Sequence, residues 1–164
     1  MTKPVPPVVL PAPACACARM RRAARALTQL YDDGMAPSGL RVTQYSLLSA
    51  LAKGGPARIS DLARSLLLDR TALSRNLDPL VERRLVTIAH GDDARTRIAT
   101  LTGTGAAALA AARPHWQQAQ AQVARRLGGE RFDTLLGLLG EVEALHPDGP
   151  AAARARQPGI GESA

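Results

Sequence analysis

Two short amphipathic segments joined by a very tight connection constrain this chain more than any other feature. The first predicted helix follows Ser60, the second follows Asp69, and only Leu67-Leu68 separate the first helix from Asp69. Side-chain oxygens of serine and aspartate accept hydrogen bonds from the unpaired N–H groups at a helix start, so both residues are predicted N-caps. Two short helices joined in this way are typical of a helix-turn-helix unit.

Helical periodicity ends after Arg84, and two strand-like segments follow at residues 85–90 and 97–102. Both have the composition of strands, and the polar residues 91–96 between them are typical of a turn. The sequence therefore predicts a β-hairpin directly after the helix-turn-helix unit. Together these elements predict a winged helix-turn-helix at about residues 40–102, in a chain that is otherwise mainly α-helical.

Amphipathic helical patterns flank this unit at about residues 15–34 and 103–146. Thr43 is the predicted N-cap of the helix between residue 34 and the helix-turn-helix, and Pro114 is expected to kink or divide the long C-terminal pattern. The interpretation is a single domain over residues 14–146. Residues 1–13, with five prolines, and residues 147–164 have little to bury and are expected to be a flexible arm and a disordered tail.

Composition narrows the possible partners and the compartment. The net charge is +7, which favours an anionic partner such as nucleic acid. No apolar run reaches the roughly 18–20 residues that span a bilayer, and the proline-broken N-terminus does not resemble a signal peptide. The two cysteines, one residue apart, do not form a disulfide framework. A cytoplasmic protein without a membrane partner or a cofactor is expected.

Several motifs occur in one order along the chain. Asp93-Ala94-Arg95 is followed by Leu101-Thr102 and then Gly105, and residues 68–77 read LDRTALSRNL. The order and spacing resemble the wing signature and the recognition helix of the MarR family of bacterial transcription regulators, over roughly residues 17–145. Leu67 and Arg84 stand where that family usually has glycine, so each turn is expected either to differ locally from the family's or to carry strain.

The second helix of the helix-turn-helix carries the predicted base-reading side chains. The N-terminal end of such a helix enters the major groove, where arginine can bind guanine and hydroxyls can reach bases or phosphates. Positions 71, 74 and 75 share one helix face. The predicted DNA contacts on this helix are Arg70, Thr71, Ser74, Arg75 and Asn76.

The tip of the hairpin carries a second set of predicted DNA contacts. Arg95 and Arg97 lie at the tip, where an arginine can enter a narrow minor groove. Asp93 lies two residues before Arg95 and can hold its guanidinium by a charge-assisted hydrogen bond. The resemblance implies the same role, with Asp93 orienting Arg95.

The outer helices have more apolar face than one small winged helix covers, so we expect a homodimer that presents two recognition helices to a palindromic site. The resemblance implies a repressor that is released from double-stranded DNA by a small effector, often an aromatic or phenolic acid. The predicted effector or sensor residues are Cys17, Met20, Arg21, Tyr31 and Tyr45.

Cys17 supports an alternative, a thiol sensor of oxidative stress, because its place near a helix start resembles the peroxide-sensing branch of the family. Cys15 and Cys17 could also begin a soft-metal site, although no histidine lies near them in sequence. A small thiol enzyme is less well supported, because the chain has no Cys-x-x-Cys pair and no βαβ pattern. A helical interaction protein without DNA binding is a further alternative.

Overall fold

The computed structural model describes residues 15–91, 93 and 96–149. The predicted arm at residues 1–13 and residues 150–164 of the predicted tail lie outside the described residues, as does Arg95. The described part is mainly helical with one small antiparallel sheet. Its elements are α1 (Ala16–Met35), a short 3-10 helix (Ala36–Ser38), α2 (Val42–Gly54), β1 (Ala57–Arg58), α3 (Ile59–Ser65), α4 (Arg70–Glu82), β2 (Val86–His90), β3 (Arg97–Leu101), α5 (Gly103–Leu127) and α6 (Gly129–Ala144).

The predicted hairpin is confirmed. β2 and β3 pair antiparallel from Val86 opposite Leu101 to His90 opposite Arg97. β1 adds to the other edge of β3, which gives the strand order β1-β3-β2. β1 was not predicted, because a strand of two residues is too short to show an alternating pattern.

The helix-turn-helix consists of α3 and α4. Asp69 is the N-cap of α4 as predicted, and its Oδ1 accepts a hydrogen bond from the Ala72 amide at 2.7 Å. The prediction of Ser60 as the cap of α3 is wrong, because α3 already begins at Ile59 with Arg58 as its N-cap. β1 pairs with β3 through Arg58, and the chain enters the helix directly from that strand.

The predicted Thr43 cap is also wrong, since α2 begins at Val42. The Val42 amide donates to Oδ1 of Asp32 at 2.8 Å, so the end of α1 supplies the acceptor that Thr43 was expected to supply. The Gln44 side chain accepts from the Arg41 amide at 3.1 Å. The start of α2 is therefore fixed by α1 as well as by its own first turn.

The core lies between α2, α4, the sheet and the first part of α5. Apolar residues at helical spacing on α2 and α4 face each other there, and the inward side of the sheet closes it. α4 runs through Pro79 to Glu82, and α5 runs unbroken through Pro114. The largest fully buried side chains are Met35, Leu47, Leu48, Leu51, Leu73, Leu80 and Val86.

The outer helices leave much of their surface uncovered within one chain. α1 packs on α5 so closely that a Cβ added at Gly34 would lie 3.1 Å from the Ala119 Cβ. Yet Met35 is the one buried residue of α1, and α6, which begins after Gly128 at φ +86°, has none. No helix in the described part of the chain is long and apolar enough to cross a membrane.

Candidate nucleic-acid interface

The outward face of α4 carries most of the side chains that the sequence predicts to contact DNA. Leu73, Leu77 and Leu80 are buried against the core and fix the helix from its inner side. The opposite face is polar and basic, and its first half follows the Asp69 cap. Arg70, Thr71, Ser74 and Arg75 are all exposed there.

Asn76 differs from these four. It is half-buried, and its Nδ2 donates to the carbonyl of Ala72 at 2.8 Å. A side chain bonded to its own helix in this way has an amide hydrogen already engaged. The structure therefore groups Arg70, Thr71, Ser74 and Arg75, and sets Asn76 apart from them.

The turn before α4 is a helix C-cap with a leucine in an unusual conformation. Leu67 has φ +51°, its amide donates to the Arg64 carbonyl at 3.1 Å, and the Leu68 amide donates to the Ala63 carbonyl at 2.9 Å. This is the Schellman pattern, in which glycine usually takes the left-handed position. The expected strain at Leu67 is confirmed, because a leucine adopts that conformation at a cost.

The turn after α4 repeats the pattern at Arg84, where φ is +57°. The Arg84 amide donates to the Val81 carbonyl at 2.9 Å, and the Leu85 amide donates to the Leu80 carbonyl at 2.8 Å. The expected strain at Arg84 is therefore confirmed as well. Both turns that hold α4 in place keep their geometry without the usual glycine.

Thr102 and Gly105 join the wing to α5. The Thr102 hydroxyl donates to the Arg84 carbonyl at 2.8 Å and accepts from the Gly105 amide at 2.9 Å, so it caps α5 while it holds the start of the wing. A Cβ at position 105 would lie 2.0 Å from the Leu85 carbonyl oxygen. Thr102 and Gly105 of the wing signature thus have structural roles here.

The wing brings Arg97 to the same side as α4. Arg97 is exposed as the first residue of β3, and the loop before it is closed by the Thr96 amide donating to the Asp93 carbonyl at 2.9 Å. Arg95 lies outside the described residues, so the pairing of Asp93 with Arg95 stays a prediction.

A cavity of about 470 Å³ lies between α3, α4 and the sheet. Arg58, Arg70 and Arg97 line it, and Ser74 and Asp78 line it from α4. Arg58 was not among the predicted residues, because a strand as short as β1 gives no signal in the sequence that this residue would lie across from α4. The arginines of three separate elements make this side of the molecule strongly basic.

A second groove, of about 560 Å³, runs between α2 and α5. The rings of Tyr45 and Trp116 stack there, with centroids 5.5 Å apart and planes 14° apart. Lys53 and Arg113 line the same groove. Of the predicted effector residues only Tyr45 lines it; Lys53, Arg113 and Trp116 were missed, because nothing local in the sequence joins α2 to α5.

The other predicted effector residues lie elsewhere on α1. The Tyr31 hydroxyl donates to Oε1 of Gln120 on α5, and burial raises the pKa of that hydroxyl above its ordinary value. Met20 is half-buried and lines a shallow depression with Arg19 and Arg22. Cys17 and Arg21 are exposed, so the structure does not gather these residues around Tyr45.

Both thiols are exposed and unbridged at the start of α1, with Cys15 at the N-cap and Cys17 in the first turn. Among the described residues, no three His, Cys, Asp or Glu side chains cluster as a metal ion would require. Within that part of the chain, the thiols have no further metal ligands around them.

Comparison with known proteins identifies the family. Residues 38–96 match the sequence model of the MarR family. The chain is similar to the Mycobacterium tuberculosis transcriptional regulator MosR in a crystal structure with DNA, at 39% identity over 78% of this chain and 97% of that one, with a TM-score of 0.64. Among curated proteins no significant match is found.

Two further solved structures support the same fold. A probable transcriptional regulator from Pseudomonas aeruginosa is 25% identical over 79% of this chain and 97% of that one, with a TM-score of 0.70. The transcriptional repressor CouR, bound to a 23-mer DNA duplex, is 25% identical over 78% of this chain and 92% of that one, with a TM-score of 0.70. With its α3–α4 helix-turn-helix, its wing and these relatives, the chain belongs to the MarR family of DNA-binding transcriptional regulators.

Proposed function

We propose that this chain binds a palindromic operator as a homodimer, represses transcription there, and is released from DNA by a small aromatic acid. The observation that carries the proposal is the exposed first half of α4, where two guanidinium groups and two hydroxyls stand on a helix anchored by buried leucines. Repression is further supported by CouR, which is a repressor.

In this proposal the exposed face of α4 enters the major groove. Arg70 and Arg75 bind guanine edges or phosphates, because a guanidinium forms two parallel hydrogen bonds with either. Thr71 and Ser74 bind phosphates or base edges through their hydroxyls. Arg97 binds the phosphate backbone of the DNA next to the major groove. Arg95, which the sequence places at the tip of the hairpin, enters the minor groove.

Fluorescence anisotropy with promoter DNA from upstream of the protein's own gene tests these contacts. We expect Arg75→Ala to weaken binding about tenfold to a hundredfold, and Arg95→Ala to weaken it as well. The salt dependence of binding should become shallower where a phosphate contact is lost. Arg125→Ala, at the far end of α5, is the matched control for the loss of an exposed arginine. Unchanged affinity for both Arg75→Ala and Arg95→Ala at physiological salt would refute the assignment.

The dimer is supported by the uncovered face of α6. Leu138 is 53% exposed, Val142 is exposed, and Leu145 at the C-cap is 83% exposed, at the i, i+4, i+7 spacing of one helix face. Leu136 is also exposed but lies on another side of the helix. Apolar side chains grouped on one helix mark an interaction surface. A second copy covers this face in our proposal, and two-fold symmetry then places two α4 helices in successive major grooves.

Sedimentation velocity tests the dimer. Leu138→Glu places a charge in the proposed interface and should give monomers that lose affinity for the palindrome. Glu141→Gln, also on α6, removes a charge without adding one to an apolar position and should remain dimeric. A monomeric wild-type protein that still binds the palindrome would contradict the homodimer.

The groove between α2 and α5 is the proposed effector site. The side chains of the groove suit an aromatic acid. An aromatic ring can stack against the Tyr45–Trp116 pair, and Lys53 and Arg113 can bind a carboxylate through salt bridges. Trp116 is the single tryptophan of the chain, so its fluorescence reports on this groove. Titration with 2- and 4-hydroxybenzoate should quench it and release DNA over the same concentration range.

The effector experiment has internal controls. Arg113→Gln should weaken both the quenching and the release of DNA, whereas Arg125→Gln, on the same helix but outside the groove, should change neither. If the hydroxybenzoates release DNA without altering Trp116 fluorescence, the effector site lies elsewhere. If they do neither, these acids are not effectors.

A thiol sensor is the second candidate function, and the exposure of Cys17 in the first turn of α1 favours it. In this alternative the thiolate form of Cys17 is the group that reacts with an oxidant. Attack of that thiolate on hydrogen peroxide gives a sulfenic acid and releases hydroxide. Peroxide should then weaken DNA binding by the wild type but not by Cys17→Ser. An identical response of the two proteins would exclude the sensor.

A further inference from the structure

We infer that Arg83 is a positioning residue that sets the spacing between the two recognition helices of the proposed dimer, and so the operator spacing that the protein prefers. Arg83 lies at the C-cap of α4. Its Nη1 donates to the carbonyl of Gly39 at 2.8 Å, across 44 residues of chain. The inference rests on the proposed function, because it concerns binding to a two-half-site operator.

The Gly39 carbonyl lies in the α1–α2 connection, residues 36–41. Gly39 ends the 3-10 helix with φ +67°, and its amide donates to the Ala36 carbonyl at 3.1 Å. The Ser38 hydroxyl donates to the Met35 carbonyl at 2.7 Å, and Met35 is fully buried. These hydrogen bonds hold the α1–α2 connection against the end of α1.

A hydrogen bond also joins the two helices on either side of the α1–α2 connection. The Val42 amide at the start of α2 donates to the Asp32 carboxylate of α1 at 2.8 Å. The Gly39 carbonyl therefore lies in a hydrogen-bonded segment between α2, the first helix of the DNA-binding unit, and α1, an outer helix that buries only Met35 within one chain and that we place with α6 in the dimer interface. Through this carbonyl, Arg83 at the end of α4 is linked to α1 by residues 36–41 alone.

On the other side, Arg83 stands where α4 passes into the wing. Arg84 follows it in the strained left-handed conformation, and the Arg84 carbonyl accepts from the Thr102 hydroxyl at 2.8 Å. Rotation of α4 about its buried face would move the Arg83 guanidinium away from Gly39. The hydrogen bond thus couples the orientation of α4 and of the wing to α1.

The consequence follows from dimer symmetry. Two α4 helices bind two half-sites only when their separation matches the repeat of the DNA. A change in the angle between α1 and α4 alters this separation at both half-sites at once. Arg83 should therefore influence affinity for a correctly spaced palindrome, with little influence on binding to one half-site.

The test uses an operator selected from random DNA by the wild-type protein, the same operator with one base pair inserted at its centre, and a single half-site. Arg83→Gln should bind the selected operator about tenfold more weakly, because the two α4 helices are no longer held at the spacing of its half-sites, and its salt dependence should be that of the wild type. It should bind the half-site as the wild type does and discriminate less against the inserted base pair. Arg83→Lys, which keeps a donor, should retain part of the discrimination.

Two results would overturn the inference. If Arg83→Gln makes the salt dependence shallower by about one phosphate contact and weakens half-site binding equally, Arg83 is a DNA contact. If its operator affinity and spacing preference equal those of the wild type, the hydrogen bond is structural only. Arg125→Gln at the far end of α5 controls for the loss of charge. A wild-type protein that selects no two-half-site operator would refute the proposed function instead.

Discussion

Gly105 lies against the carbonyl of Leu85 so closely that a Cβ at position 105 would be 2.0 Å from that oxygen. The same Cβ would lie 2.7 Å from Cδ1 of Leu101. The first turn of α5 therefore packs directly on the start of β2, and the absence of a side chain at Gly105 makes this contact possible. The glycine of the wing signature acts here through close packing.

Gly105→Ala should destabilise the protein by about 3 kcal/mol, because the new methyl group meets backbone that cannot move without displacing β2. Urea unfolding measures the change. Gly103→Ala is the matched control, since a Cβ there meets nothing within 4 Å. Equal stability of the two variants would show that α5 can shift away from Leu85 without cost.

Arg84→Gly should stabilise the protein by about 0.5 to 1 kcal/mol. Glycine removes the cost of the left-handed conformation at φ +57°, and this gain exceeds the added flexibility of the unfolded chain. The urea midpoint should rise for Arg84→Gly. Arg84→Ala keeps the strain and should give no such rise, so a rise of equal size in both variants would point to the lost charge instead.

Asp69→Ala should cost about 1 kcal/mol, because the Ala72 amide at the start of α4 loses the acceptor that holds it at 2.7 Å. Asp69→Ser keeps a side-chain oxygen at the cap and should restore most of the stability. Chemical unfolding of the three proteins checks the expectation. An alanine variant as stable as the wild type would mean that water replaces the cap at no cost.

The stability of the protein should fall at alkaline pH partly through Tyr31. Burial raises the pKa of this hydroxyl in the folded state above its ordinary value. Its contribution is fully present below the unfolded value of about 10 and is lost as the pH rises through the folded value, because the unfolded chain then gives up the proton more easily.

Urea unfolding between about pH 9 and pH 11 measures this loss, in a range that brackets the ordinary tyrosine pKa. Tyr31→Phe lacks the ionisable group and should lose less stability over the range, although it starts lower because Gln120 loses its donor. Parallel pH curves for the two proteins would contradict a raised pKa at Tyr31.

The sequence by itself determined the helix-turn-helix, the hairpin and the outward residues of α4. These features depend on contacts close along the chain: the Asp69 cap acts three residues away, and the face shared by Thr71, Ser74 and Arg75 follows from helical periodicity. The unusual turns at Leu67 and Arg84 were expected from the resemblance, because the family usually has glycine at both positions and glycine adopts a positive φ at little cost.

Only the tertiary structure decided the contacts between elements distant in sequence. Asp32 replaced Thr43 at the start of α2, Tyr45 met Trp116, and Arg83 reached Gly39. The partners in each pair lie on different elements, and periodicity within one helix indicates which face is buried but not which helix will cover it. The exposed polar face of α4 was therefore largely predictable from the sequence, whereas the groove beside Trp116 and the Arg83–Gly39 hydrogen bond arose from how α1, α2, α4 and α5 pack together.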